Sequence, residues 1–150
     1  MPNRDVHFHV GAVAGGGYAL YMSYGQASWH VVAETAGGVL GGIAGGLLPD
    51  RIDTPSSPWH RAEAHSVAIT GVAGRFVSEQ LPDWQASLRR QADRYALMRA
   101  QSPSPLQQFF LWLAEWACRF LAGAIAGLLA GYASHLVLDA LTPSSLPLVC

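Results

Sequence analysis

The groups able to bind a metal or move a proton are few in this chain, and most fall in four short segments. His7 and His9 come just ahead of the first apolar run. Asp50 and Asp53 lie in Leu47-Leu48-Pro49-Asp50-Arg51-Ile52-Asp53, read as a Pro-bounded loop whose carboxylates could bridge two metal ions. His60 and His65 lie in Trp59-His60-Arg61-Ala62-Glu63-Ala64-His65-Ser66. His135 and Asp139 are four apart, so one helix would project both in the same direction and onto one ion. His60 and His65 are five apart, about 140° around an ideal helix. Either a helix starts after His60 or the two serve different ions; a start at Ser57-Pro58 favours the second. Imidazole and carboxylate together suit zinc, manganese or iron.

Taken singly, each group has a plainer role. An Asp after Leu-Pro is commonly a turn or cap, and a lone His a satisfied surface or core residue. Their combination in so apolar a chain is what points to a site, because ionisable groups are expensive inside a membrane or bundle core.

The elements that must position them are read from composition. The chain has 150 residues, enough for one domain with a core, and residues 1–150 are taken as a single domain. Only 13% of residues are charged, about half the usual ~25%, while 51% are hydrophobic. That excludes general disorder. A net charge of -1 and a pI near 6.6 exclude a nucleic-acid binder built on phosphate contacts. All nine basic residues are arginine. Cys118 and Cys150 make no disulfide scaffold. Arg4 followed at once by Asp5 argues against a secretory signal.

Four apolar stretches follow: Val10 to Tyr24, Val31 to Leu48, Val67 to Val77, and Phe109 to Leu141. The second and fourth are long enough to span a bilayer, which takes about 20 residues; the first and third are marginal. Glycine recurs every four residues as Gly37-Gly41-Gly45, Gly38-Gly42-Gly46 and Gly123-Gly127-Gly131, with Gly11 and Gly15 in the first stretch. Such rows leave smooth faces on which helix backbones can approach closely. Glu115 and Arg119 have the order and spacing of an intrahelical ion pair. Asp83 to Ala100, with Arg89, Arg90, Arg94 and Arg99, reads as an amphipathic helix facing lipid headgroups, a partner or solvent, ended by Ser102-Pro103-Ser104-Pro105. The expected fold is all-α: a small membrane-embedded bundle of about four helices with glycine-zipper packing and an amphipathic surface helix. Alternating crossings bring all four His/Asp segments to one end. Four arginines at the opposite end against Arg4, Arg51 and Arg61 would place the site on the outer membrane face by the positive-inside rule.

Several motifs resemble those of the LexA-regulated, inner-membrane-associated metal-dependent hydrolases, the YdjM-like family. Gly131-Tyr132-Ala133-Ser134-His135 through Asp139 to Leu141-Thr142-Pro143 is similar to that family's GY-x-SH…D…LTP ending. His60-Arg61 with His65-Ser66 resembles its HRxxTHS box, with Ala64 in place of Thr. Leu47-Leu48-Pro49-Asp50 with Asp53 resembles LLPDxD, here with three positions between the aspartates' numbers instead of two. His7 with Gly11 resembles HxxxG, which fits His7 better than His9. The resemblance implies a multi-pass bacterial inner-membrane hydrolase acting through a metal-activated water, and more distant similarity to zinc-dependent phospholipase C and P1-type nucleases implies ester or phosphoester substrates. The expected ligands are His7, Asp50, Asp53, His60, His65, His135 and Asp139, too many for one zinc, so two or more divalent ions are implied, zinc first, with manganese or iron as alternatives. Arg61 is the expected phosphate clamp and Glu63 the expected general base. The partners expected are membrane lipid, a small-molecule or lipid ester, no nucleic acid, and a second copy through the glycine faces. The alternatives are a non-enzymatic membrane protein that binds or moves a metal ion, and a structural helical bundle.

Overall fold

Between Pro2 and Pro49 the chain has no proline, and among the described residues of that stretch helix is interrupted only around Gly25. Gly25 has φ +86°, a left-handed conformation that a side chain would disfavour, and it turns the chain between two antiparallel helices. The computed structural model describes residues 4–52 and 67–141. These form α1 (Arg4–Ser23), α2 (Ser28–Ile52), α3 (Val67–Gln101) and α4 (Pro105–Ala140), with no strand among the described residues. Ser104 caps α4: its side chain accepts from the Gln107 backbone N–H, and Pro105 takes the first helical position.

Three boundaries differ from the sequence expectation. α1 begins ahead of His7, so His7 and His9 sit on its first turns and not before it. Asp5 in that first turn complements the helix dipole. α2 runs through Pro49 to Ile52, which puts Asp50 on a helix rather than in a loop. The third apolar stretch and the arginine-rich segment are one helix, α3, with Pro82 inside it.

Helices α1, α2 and α4 pack mutually, and α3 lies against α4. The two offset glycine rows of α2 serve different neighbours. Gly38, Gly42 and Gly46 face α1, at Gly15, Gly11 and His7. Gly37, Gly41 and Gly45 face α4, at Phe120, Ala124 and Leu128. From the other side, Gly123, Gly127 and Gly131 of α4 face the backbone of Glu34, Gly38 and Gly42. A Cβ at Gly127 would stand 2.7 Å from Gly38 Cα, and one at Gly15 would stand 2.5 Å from Gly42 Cα. Backbones meet here with no side chain between them.

The interior is therefore small and polar, and the exterior apolar. The buried hydrophobics among the described residues are mostly alanines, with Leu47 and Leu81. Val13, Leu20, Val32, Leu40, Phe109, Phe110, Trp112, Leu121 and Val137 point outward. That distribution suits a lipid solvent, in which packing of small residues replaces the hydrophobic drive. α2 (Ser28–Arg51) and α4 are long and apolar enough to cross a membrane.

An ion network sits in the half of the bundle remote from His135. Glu34, fully buried, receives Arg89 Nε at 3.0 Å and Arg89 Nη2 at 2.5 Å on its two oxygens. Arg89 also donates to the Met22 carbonyl, tying in the end of α1. Arg119 donates to Gln26 and Asp93 and lies 3.6 Å from Glu34. Glu115 takes Arg99 at 2.9 Å and stands 3.6 Å from His30. Three carboxylates and three guanidiniums from α2, α3 and α4 face one another. This corrects two expectations. Glu115 and Arg119 pair with other helices and not with each other, because each buried charge meets a better-placed opposite charge across a helix interface. Arg89 and Arg99 turn inward for the same reason, whereas Arg90 and Arg94 are exposed. Among the described residues Arg90 and Arg94 thus stay outside at that end.

Gly42→Leu is expected to cost at least about 3 kcal/mol by unfolding followed by circular dichroism, since α1 and α4 both press on that position. Gly17→Ala, with nothing within 4 Å, should be neutral or stabilise by up to ~1 kcal/mol. Glu34→Ala leaves the Arg89 guanidinium with no carboxylate, only the Met22 carbonyl, and should cost about 3–5 kcal/mol. Arg75→Ala, which breaks the exposed Arg75–Glu79 pair, should cost less than about 1 kcal/mol in the same measurement.

Candidate metal centre

The four-residue rows that bring the helices together continue beyond the glycines, and the site is their next step. On α1 the buried row is His7, Gly11, Gly15, Ala19 and Ser23. On α4 it is Glu115, Arg119, Gly123, Gly127, Gly131, His135 and Asp139. On α2, Glu34, Gly38, Gly42 and Gly46 lead to Asp50. Residues four apart lie on one helix face, so a register set by glycine contact also sets which polar groups meet. His7, Asp50, His135 and Asp139 converge from three helices.

His7, His135 and Asp139 are 2%, 0% and 0% exposed, while the Asp50 side chain is 37% exposed. The two imidazoles stack with centroids 3.9 Å apart. His7 Nε2 lies 3.5 Å from Asp139 Oδ1, and His135 Nε2 lies 3.5 Å from Asp139 Oδ2 and 3.7 Å from Asp50 Oδ1. His135 Nδ1 is 2.7 Å from the Gly46 carbonyl oxygen. A carbonyl only accepts, so Nδ1 carries a proton there and Nε2 is the ring atom directed toward the carboxylates. Histidines that bind metal through one ring nitrogen commonly donate the other ring N–H to a carbonyl in this way.

The spacing fits an ion. Contacts of 3.5–3.7 Å are longer than an ordinary N–H···O bond of roughly 2.7–3.2 Å. Nitrogen and oxygen ligands held about 2.0–2.1 Å from a tetrahedral ion stand roughly 3.3–3.4 Å apart. One ligand atom from each of His7, His135 and Asp139 lies within 4.8 Å of the others, so this cluster could hold a metal ion.

Of the ligands expected from sequence, the structure thus assembles His7, His135 and Asp139, with Asp50 at their edge. It separates His7 from His9, which is exposed and lies edge-on to Phe8. Asp53, His60 and His65, with Arg61 and Glu63, lie outside the described residues. Sequence reasoning missed Gly46, whose carbonyl orients His135; the signal was its place in a glycine row ending at Asp50. It also assigned no partner to Glu34, the lone acid in the second apolar stretch. Beside Asp50 a cleft of about 330 Å³ is lined by Arg4, Leu47, Asp50 and Arg51.

The sequence family described as YdjM inner membrane protein matches the chain over residues 1–150. No curated protein and no solved structure matches it.

Purified protein should carry a divalent ion by mass spectrometric metal analysis. His135→Ala and His7→Ala should each weaken its binding by about 10- to 100-fold or more, and His9→Ala should leave it unchanged. Equal metal content in all three variants would remove the cluster as the binding site.

Proposed function

The chain belongs to the YdjM inner membrane protein family, and on that premise we propose that it is a multi-pass, membrane-embedded metal-dependent hydrolase acting on an ester or phosphoester. The observation that carries this reading is the orientation of His135: the Gly46 carbonyl fixes its tautomer, and its Nε2 faces Asp139 and Asp50 at ligand spacing. His7, His135 and Asp139 would hold the ion, with zinc the best match to two imidazoles and a carboxylate. When bound, the ion supplies Lewis-acid polarisation and a hydrolytic water of lowered pKa.

The chain's own residues do the rest. The bundle wall around His7, His135 and Asp139 excludes bulk water, which strengthens every charge interaction within it. Asp50 faces both the cluster and the cleft, so its carboxylate can hold or accept a proton where substrate would enter. From the sequence motifs, Asp53, His60 and His65 would be further ligands in a centre of two or more ions, Arg61 would clamp a phosphate and Glu63 would act as base.

A second reading has one observation in its favour. The near-complete burial of His7, His135 and Asp139 equally suits a protein that holds or moves a metal ion without catalysis. Zinc- or manganese-loaded protein in phospholipid nanodiscs separates the two when assayed against a panel of carboxylic and phosphoric esters. Turnover that falls at least about 100-fold in His135→Ala and persists in His9→Ala is expected of the hydrolase. A loaded protein that turns over nothing in the panel overturns it in favour of the ion-holding reading.

A further inference from the structure

Arginine is used sparingly here, and most of the buried or paired arginines are accounted for. Arg75, Arg89, Arg99 and Arg119 each pair with a carboxylate. Arg90 and Arg94 lie on the outer face of α3, in the half of the bundle remote from the His/Asp cluster. Arg4 and Arg51 differ from all of these. They come from different helices, the first turn of α1 and the last turn of α2, and both line the cleft of about 330 Å³ beside Asp50. Among the described residues neither has an ion-pair partner, although Asp50 shares the cleft with them. The volume is at the lower end of the range of small-molecule sites, about 300–1,000 Å³.

The charges show what the cleft would receive. Asp50 and Asp139 offer two negative charges to the cluster, and one divalent ion cancels them. An anionic substrate would then gain no net attraction from the described ligands. Arg4 and Arg51 supply two positive charges next to that balanced centre, and they do so as planar forks that match phosphate oxygens in pairs. Leu47 adds an apolar wall suited to the organic part of an ester. Asp50 Oδ1 stands 3.7 Å from His135 Nε2, so an anion held between the arginines would adjoin the cluster.

We propose that Arg4 and Arg51 form a phosphate-binding subsite at the cleft beside this centre, and that the substrate is therefore a phosphate ester rather than a neutral ester. The naming of a substrate rests on the hydrolase reading; the binding of phosphate does not. The same chemistry could reach the cleft from a lipid headgroup or from a soluble phosphoester.

Binding, not turnover, tests it. Purified protein, as isolated and after chelation, is titrated with inorganic phosphate in detergent. In parallel it is reconstituted into phosphatidylcholine nanodiscs with or without phosphatidic acid, and bound lipid is measured. Wild type is expected to bind in at least one arm. Saturable phosphate binding assigns a soluble phosphoester, and retention of phosphatidic acid alone assigns a lipid headgroup. In either arm the Arg4→Ala/Arg51→Ala double variant should lose at least about tenfold in affinity, and Arg4→Lys/Arg51→Lys should recover part of it. The Arg90→Ala/Arg94→Ala double variant should stay within about twofold of wild type. Both arginine pairs are exposed, so unchanged thermal unfolding should accompany each variant. No binding in either arm, or equal losses in the two alanine doubles, overturns the proposal. If turnover is absent but arginine-dependent binding remains, the hydrolase reading fails and this one stands.

Discussion

Contact between bare backbones along α2 is the constraint on which the rest of the molecule depends. Gly38, Gly42 and Gly46 meet α1, and Gly37, Gly41 and Gly45 meet α4. In lipid there is little hydrophobic gain from joining two apolar helices, so close packing must supply the attraction. Close packing of this kind also has one register. Sliding a helix by one residue would bring a Cβ of Val39, Leu40 or Ala44 against a neighbouring backbone. Because both glycine rows and polar rows repeat every four residues, the register that seats the glycines also seats the charges.

Those charges fall at two levels of the same row. On α4, Arg119 belongs to the ion network and His135 to the His/Asp cluster, sixteen residues and about 24 Å apart along the helix. Between them the row holds only glycine. The two levels solve the cost of burial differently. The network balances three carboxylates with three guanidiniums and so fastens α3, an otherwise one-sided neighbour, to α1 and α2 as well as α4. The cluster sets carboxylates against imidazoles, one of them donating its Nδ1 proton to a carbonyl so that Nε2 is the atom facing the carboxylates.

Much of this was legible in the residues. The apolar lengths of α2 and α4 are local properties and came out as the pattern implies, and His135 and Asp139, four apart, lie on one buried face of α4. The choice between His7 and His9 was settled in structure by Gly46, a residue of another helix that admits the His7 backbone. Helix ends were less legible: Asp50 lies on α2 because a proline near the last turn can be tolerated without ending the helix. The ion partners of Glu115 and Arg119 were misread because the i,i+4 rule describes an isolated helix, and here cross-helix carboxylates and guanidiniums compete more closely. The union of the third stretch with the arginine-rich segment was hidden by Pro82 and by the change of composition between its two parts.

A core made of glycine has no rotamers. In an ordinary interior, a small shift of one helix is absorbed as side chains turn into new wells, and distant groups scarcely feel it. Along the α2–α4 seam nothing can turn. A displacement at the level of Glu34 and Arg119 is passed along two rods in hard contact to the level of Gly46 and His135. The molecule thus behaves along that seam like a ruler rather than a cushion. The separation between the levels of Glu34 and of His135 is a property of backbone geometry, fixed at both ends of the bundle at once.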